Sequence, residues 1–385
     1  MFVIDQTTEI DALVARVEVL RTRLDAGATL SRRWSGRLRR EMEVNAIAAS
    51  TALEGVRVTA DDVRRILAAD RPLTVTEADA ALVQGYRDAM TYALRRADDP
   101  DFEWHTEVVR AIHDRVLAGS HSLGAGRLRN RQVFVVGGSG ELMFTPPAPE
   151  QVATLLSEAA ADLASSSAPT PVLAAVAHVT VAAIHPFADG NGRTARIVAS
   201  LAMLRGGYHR PEFTSLEEWW GSHASDYYAA FGCLGSEWNP VANVSGFVLS
   251  HLVAQVAQAE GYEIDHAVQT DIWVALENIA EALGDSRGAE ALYDAFLGRA
   301  VTNRYYREIA AVSSVTAATD LARLAAAGLL DPRGAGSSTE FVASAGLFLR
   351  LAQELGLAEQ VEITAPLDDQ RRFLIAALKW RVRER

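Results

Sequence analysis

Apolar residues recur at helical spacing along almost the whole chain. Residues 8–26 and 33–53 both show an apolar stripe of period near 3.6, which predicts two amphipathic helices. Gly55 after the second is a predicted C-cap, and Thr59 with Asp62 predicts a capping box that opens the next helix. The same periodicity predicts further helices at 76–97, 103–118, 148–164, 171–184, 194–206, 215–232 and 242–260. The chain is therefore expected to be mainly α.

One stretch of the first 260 residues has the pattern of a β-hairpin instead. Residues 131–136 are rich in β-branched and aromatic side chains, residues 137–140 are a Gly-rich turn, and residues 141–144 predict the returning strand. Pro146 and Pro147 end the hairpin, because proline cannot continue a hydrogen-bonded ladder.

The segment after about residue 262 is predicted to be a separate unit. Residues 286–345 have the pattern helix, helix, tight turn, helix, followed by a Gly-rich hairpin at 333–338 and a short strand at 340–342. We therefore expect three regions: an N-terminal helical region at 1–100, a core at 101–260 and a C-terminal domain at 261–385.

Composition narrows the class of protein. The chain has 385 residues, of which 49% are hydrophobic and 22% charged, a globular balance that suits two or three domains. The formal net charge of -12 argues against general affinity for DNA, although not against a local basic site. The sole cysteine, Cys233, cannot form an internal disulfide. No signal pattern and no long apolar run predicts a membrane segment, so a cytoplasmic location is expected.

The segment from His185 to Arg196 concentrates chemistry in a short space. Pro186 and the run Gly190-Asn191-Gly192 forbid a continuous helix and favour a tight turn, with the next helix starting near Arg193. A turn of free N–H groups at a helix N-terminus binds anions, and phosphate is the usual one. Taken singly, these features are also those of an ordinary helix cap and turn.

The side chains of this segment suit phosphate chemistry. Arg193 and Arg196 are three residues apart and share one helix face, so both can grip phosphates. Asp189 offers a hard oxygen ligand for Mg²⁺, and His185 can exchange a proton near neutrality. Together these groups predict the attack of a hydroxyl on phosphorus.

The segment resembles the signature of the Fic family, His-x-Phe-x-[Asp/Glu]-Gly-Asn-Gly-Arg-x-x-Arg, and matches every specified position. The resemblance implies a Fic-type helical bundle and a protein adenylyltransferase, an enzyme that transfers AMP from ATP to a hydroxyl of a target protein. It implies that His185 is the base, that Asp189 holds Mg²⁺ and that Phe187 anchors the loop. The residues that it implies for binding the phosphates of ATP are Gly190, Asn191, Gly192, Arg193 and Arg196.

The resemblance also gives the hairpin a role. In this family a hairpin called the flap holds the target segment by strand addition, which here implies docking residues on both predicted strands. These residues are Val133, Phe134, Val135, Val136 and Phe144. An exposed strand edge can hold an extended peptide by main-chain bonds. The alternative is a plain surface hairpin.

A second motif lies at the end of the helix predicted at 33–53. A carboxylate there opposes the helix dipole, so a cation is expected beside Glu54. Ser50, Glu54 and Gly55 resemble the family's inhibitory helix motif, [Ser/Thr]-x-x-x-Glu-[Gly/Asn], whose glutamate pairs with the second signature arginine, here Arg196. The resemblance implies autoinhibition within one chain. The alternative is an ordinary surface glutamate.

The C-terminal region resembles the winged-helix domain often fused to Fic enzymes. A DNA-reading helix normally carries several basic residues. Here Thr319 stands where the family pattern often has arginine, and Arg323 is the main cation of that helix. DNA binding is therefore a weak expectation, and packing or protein docking is at least as well supported.

Three functions stay open on the sequence alone. The first is AMP transfer to a Ser, Thr or Tyr hydroxyl of another protein or of the chain itself. The second is removal of AMP, or transfer of UMP or another phosphate-containing group. The third is a transcription regulator whose core senses nucleotide. The oligomeric state is also open.

Overall fold

The computed structural model describes residues 2–26, 32–117, 124–284, 286–334, 336, 339–360, 362 and 364–384, with the backbone alone at 26 and 32–41. The described chain is mainly helical with few strands, as predicted. It divides into two compact units, residues 1–260 and 261–385, and the first contains both the predicted N-terminal region and the predicted core.

The helices of the first unit follow the sequence pattern closely. They are α1 (Thr8–Ala26), α2 (Arg32–Leu53), α3 (Ala60–Leu67), α4 (Glu77–Ala97), α5 (Thr106–Val116), α6 (Pro149–Ser165), α7 (Thr170–Ile184), α8 (Asn191–Arg205), α9 (Pro211–Thr214), α10 (Glu217–Ser222), α11 (Ala224–Ala230) and α12 (Ser245–Ala282). The boundary between the units falls within α12. Residue 118, the predicted end of the fifth helix, lies outside the described residues.

The two predicted helix caps, which depend only on neighbouring residues in the chain, are confirmed. Thr59 and Asp62 form the predicted capping box of α3, each side chain bonded to the backbone of the other. Gly55 has a φ of 82° and its N–H donates to Ala52 O at 2.9 Å, as expected after a helix end. The prediction of one helix at 215–232 is wrong: the chain breaks there into α10, α11 and a 3-10 turn at 231–234.

The core of the first unit is built around α8. Every residue of α8 from Arg193 to Leu204 is buried, which makes it a central helix covered on all sides. It packs most extensively on α7, and α4 and α5 cover further faces. Ile184 and Phe187, which flank the turn between α7 and α8, are fully buried in this cluster. The turn is therefore anchored on both sides.

The predicted hairpin forms, with shorter strands than the pattern suggests. β1 (Val135–Val136) pairs antiparallel with β2 (Leu142–Phe144), with an irregularity in the register. Gly137 N–H donates to Glu141 O at 2.8 Å and closes the turn.

The second unit combines short helices with a three-stranded antiparallel sheet. Its elements after α12 are α13 (Gly288–Phe296), β3 (Val301–Thr302), α14 (Asn303–Ala310), α15 (Ser314–Ala326), β4 (Leu330–Arg333), β5 (Glu340–Ala343), α16 (Ala345–Glu354) and α17 (Leu367–Arg383). The strand order is β3-β5-β4. Residues 335, 337 and 338 of the predicted hairpin turn lie outside the described residues.

A membrane-span test on the described residues gives one marginal result. No single helix is long and apolar enough to cross a bilayer, while α14 and α15, bent by 107° at their junction, satisfy the length and composition criteria only as a pair.

Candidate active site

The turn between α7 and α8 carries the signature residues. α7 ends at Ile184, and His185 adopts a left-handed backbone conformation with a φ of 50°. Gly190 is also left-handed, with a φ of 74°, and α8 begins at Asn191, two residues before the predicted start at Arg193. The first N–H groups of α8, which lack partners within the helix, therefore follow directly on the turn.

Asn191 holds the turn together. Phe187 N–H donates to Asn191 Oδ1 at 2.9 Å, and Asn191 Nδ2 donates to Phe187 O at 3.0 Å. Both side chains are buried. Each end of the Asn191 amide thus makes one bond to the Phe187 backbone, which gives the residue a structural role in the turn, and its phosphate contact stays a prediction. Phe187 lies in the core, where an anchor is expected.

His185 is oriented by its own helix. Its Nδ1 lies 3.1 Å from Ala182 O, and a carbonyl can only accept, so Nδ1 carries the proton and Nε2 is left as an acceptor. Burial lowers the pKa of His185 below its ordinary value, and the Arg129 guanidinium acts in the same direction. The imidazole is thus held neutral, in the tautomer that can accept a proton at Nε2.

Asp189 and Arg193 lie close together where the turn leads into α8. Asp189 Oδ1 accepts from Gly190 N–H at 2.7 Å and lies 3.9 Å from Arg193 NH2, with the aspartate side chain half exposed. The Arg193 side chain is buried, and its Nε and NH1 have no hydrogen-bond partner among the described residues. A buried donor without a partner costs on the order of 1–3 kcal/mol, so an incoming oxyanion would be stabilised there.

Arg196 is the centre of a buried polar cluster. Its NH2 donates to Ser50 Oγ and to Glu54 Oε1, both at 3.0 Å, and its NH1 donates to Tyr227 OH at 3.2 Å. Burial disfavours the charge, but Tyr227 and Glu54 outweigh it and raise the pKa of Arg196. The cation expected beside Glu54 is therefore present, and it is the second arginine of the signature.

Glu54 also lies against the first turn of α8. A Cβ placed on Gly192 would lie 2.6 Å from Glu54 Oε1 and 3.3 Å from Arg196 NH1. The carboxylate thus lies beside the first turn of α8, where an anion is favoured. A side chain at position 192 would displace the Glu54 carboxylate. The contact between Glu54 and α8 therefore explains sterically why position 192 is a glycine.

The hairpin presents apolar side chains to solvent. Phe134, Val136 and Leu142 are all more than half exposed, and Val133 and Val135 are partly buried. Phe144 differs: it is buried in a cluster with Val172, Phe247 and other residues. The prediction of Phe144 as a docking residue is therefore wrong, because its side chain anchors the base of the hairpin.

Comparison with known families assigns this region. The Fic/DOC family model matches residues 103–203, a stretch that contains α5, the hairpin, α7 and most of α8. The chain carries a Fic/DOC domain. Two curated relatives match it closely: the protein adenylyltransferase fic-1 of Caenorhabditis briggsae is 42% identical over 100 residues, and the protein adenylyltransferase Fic of Nematostella vectensis is 42% identical over 101 residues. Each match covers 25% of this chain, and 18% and 22% respectively of the relative.

Solved structures show the same fold over a longer stretch. A Fic family protein from Desulfovibrio desulfuricans aligns with a TM-score of 0.61 at 20% identity, covering 88% of this chain and 97% of its own. A structure of Fic-1 from C. elegans, residues 134–508, aligns with a TM-score of 0.52 at 25% identity, covering 66% of this chain and 71% of its own. The Fic fold therefore extends beyond the segment that the family model matches.

His113 is a residue of the Fic/DOC domain that sequence reasoning missed. Its ring stacks on Phe187 at 3.6 Å, its Nδ1 accepts from Gly126 N–H at 2.9 Å, and its Nε2 donates to Asp189 O at 2.9 Å. Burial lowers its pKa to about 4. Neutral His113 thus supports the turn from α5. The sequence feature that could have identified His113 is its position on the apolar face of α5, next to Ile112.

Tyr227 and His178 lie behind Arg196, and sequence reasoning did not predict their part in the site. Tyr227 OH accepts from Arg196 and lies 3.2 Å from His178 Nε2, and both rings are buried. Both side chains belong to the buried core of the first unit. The structure adds that this part of the core positions the Arg196 guanidinium.

Proposed function

We propose that this protein transfers AMP from ATP to a Ser, Thr or Tyr hydroxyl of a target protein. One observation carries the proposal: the unprotonated Nε2 of His185 and the unpartnered guanidinium nitrogens of Arg193 belong to one turn, which opens onto the N-terminus of α8. Such a turn binds a polyphosphate through N–H groups and guanidinium forks. The relatives that match the domain bear the name adenylyltransferase, which supports the same activity.

Mg²⁺ fits the turn as a partner of the nucleotide. Asp189 is half exposed, and its Oδ1 is fixed by Gly190 N–H, so the carboxylate is oriented without being enclosed. Mg²⁺ commonly takes one carboxylate, phosphate oxygens and waters. Bound there, the ion would neutralise charge on the phosphates.

The proposed reaction is a nucleophilic substitution at the α-phosphorus of ATP. The target hydroxyl oxygen forms a bond to the α-phosphorus of ATP, and the bond from that phosphorus to the bridging oxygen breaks, releasing pyrophosphate. The hydroxyl proton passes to Nε2 of His185, which burial keeps neutral. Arg193 and the N–H groups of α8 stabilise the charge on the phosphates.

The position of Glu54 supports a proposal of autoinhibition within the chain. Its carboxylate accepts a hydrogen bond from Arg196 and lies beside the first turn of α8. An outer phosphate of ATP would need both of these groups. A phosphate there would lose a clamp and meet a like charge. We propose that ATP binds productively only when Glu54 has moved away.

Labelled ATP tests the reaction. We expect Glu54→Ala, given Mg²⁺ and ATP labelled at the α-phosphate, to place label on itself or on proteins of an added bacterial lysate. The double variant Glu54→Ala/His185→Ala is the matched control and should place none. Protein-bound label from the γ-phosphate alone would indicate phosphorylation and overturn the proposal. No label from either position, on any protein, would also count against it.

A further inference from the structure

Arg129 lies at the joint between the hairpin and the catalytic turn. It precedes the hairpin by six residues, and its side chain is buried, with 6% of the residue exposed. Its guanidinium lowers the pKa of His185. Its contacts reach three separate segments of backbone.

The Arg129 guanidinium donates only to carbonyl oxygens in the contacts of the described residues. Its Nε donates to His185 O at 2.8 Å, and its NH2 donates to Pro147 O at 2.5 Å and, more weakly, to Ile184 O at 3.4 Å. Its NH1 donates to Arg131 O at 3.2 Å. One side chain therefore links the end of α7 to both the entry and the exit of the hairpin.

The backbone of the same residue adds a further link. Arg129 N–H donates to Pro186 O at 2.9 Å. The carbonyls of residues 184, 185 and 186 are thus all held by one arginine. The last carbonyls of a helix have no partner inside it, and a cation at a helix C-terminus is favoured by the dipole.

The position matters because the backbone at His185 is strained. A non-glycine residue at a φ of 50° is in a disfavoured backbone conformation and needs support from its surroundings. Arg129 bonds to the carbonyl of that very residue. A guanidinium has five donors in a rigid plane and can serve several carbonyls together, whereas an ammonium is a single flexible point.

We propose that Arg129 is a positioning residue that fixes the His185 imidazole relative to the hairpin, so that the base meets a hydroxyl docked on the hairpin. It acts through the backbone of 184–186 and 147. The proposal rests on the proposed function for its catalytic consequence. Its structural consequence, the coupling of the turn to the hairpin, does not depend on which reaction the protein catalyses.

The test compares Arg129→Met and Arg129→Lys in the Glu54→Ala chain. Arg127→Met is the matched control, because Arg127 is exposed on the same segment. Amide hydrogen exchange of residues 133–144 and 184–190 should rise together in Arg129→Met, stay at the parent level in Arg127→Met and rise less in Arg129→Lys. Unchanged exchange in a folded Arg129→Met chain would overturn the proposal.

Kinetics of self-labelling with α-labelled ATP supply the second readout. We expect Arg129→Met to lower kcat at least tenfold and to leave KM for ATP within about twofold, with Arg129→Lys intermediate. Equal kcat in all variants would overturn the proposal, as would a rise in KM for ATP that matches the fall in kcat. If Arg129→Met does not fold, Arg129→Lys carries both readouts. A parent chain that transfers nothing refutes the proposed function instead, and hydrogen exchange still decides the role of Arg129.

Discussion

At the scale of single residues, the chemistry depends on an imidazole kept neutral by burial. Nδ1 of His185 is occupied by Ala182 O, so proton transfer can only take place at Nε2. The charged groups that face the ring are Arg129, which lowers its pKa, and Glu54 and Asp189, which raise it. Burial outweighs the two carboxylates.

The pH dependence of the reaction follows from that balance. Because the pKa of His185 is lowered, the neutral form persists below pH 6.5, and the rate should fall only as the pH drops through the lowered pKa. Removing Glu54 takes away a group that raises the pKa and moves the fall further down. The measurement is kcat for Glu54→Ala between pH 5 and 8, and an acid limb centred above 6.5 would contradict the assignment.

Gly190 offers a second test at this scale. An alanine there must hold a φ of 74°, which strains the turn by about 1 kcal/mol, and its Cβ would touch Val116 and His113 at 3.4–3.5 Å. We expect Gly190→Ala to weaken binding of ATP–Mg²⁺ several-fold in the Glu54→Ala chain, measured by calorimetry.

Gly328, which follows the end of α15, provides the matched control for that substitution. It has a nearly equal φ of 71°, with nothing within 4 Å of an added Cβ. Gly328→Ala should cost similar stability in thermal unfolding without changing ATP affinity. Equal loss of affinity in both variants would mean that the effect is general destabilisation and not the shape of the turn.

At the scale of elements, the end of α2 that precedes Glu54 is held in place by α10 and α11. Gly221 of α10 meets Ala49 closely enough that a Cβ on the glycine would lie 2.9 Å from the Ala49 Cβ. From α11, Tyr228 OH donates to Leu53 O, the last carbonyl of α2, at 2.6 Å. The segment 215–232, which was predicted as one helix, thus packs against the end of α2 as the two short helices α10 and α11.

Tyr228→Phe should therefore loosen the contact between Glu54 and Arg196, which we propose to be inhibitory. The lost hydrogen bond is worth about 1 kcal/mol, which corresponds to roughly a fivefold gain in basal AMP transfer by the otherwise wild-type chain. The same substitution in the Glu54→Ala chain should change nothing, because no carboxylate is left to release. Equal gains in the two backgrounds would contradict this account of α2, and self-labelling rates measure both.

Sequence pattern predicted the elements whose causes are local. The capping box of Thr59 and the C-cap at Gly55 depend on neighbours along the chain, and both are present. The break in 215–232 depends on packing against α2, and the burial of Phe144 depends on contacts with α7 and α12. Neither contact leaves a trace in local periodicity, which is why both predictions failed.

At the scale of the whole molecule, the signature identifies the site but not the groups that support it. His113, Arg129 and Tyr227 come from three other elements and meet the turn only after folding. The winged helix of the second unit stays a prediction. The 18 acidic and 13 basic residues of this unit give DNA binding little support.

The central claim is that the N-terminus of α8 is a nucleotide site and that Glu54 competes for it. Calorimetric titration of ATP–Mg²⁺ tests it most directly, since no target protein is needed. We predict that Glu54→Ala binds at least tenfold more tightly than the wild type, while Glu43→Ala, an exposed glutamate of the same helix, does not. Adding Arg193→Met should abolish the gain, and adding His185→Ala should preserve it. Equal affinity of wild type and Glu54→Ala would contradict the account.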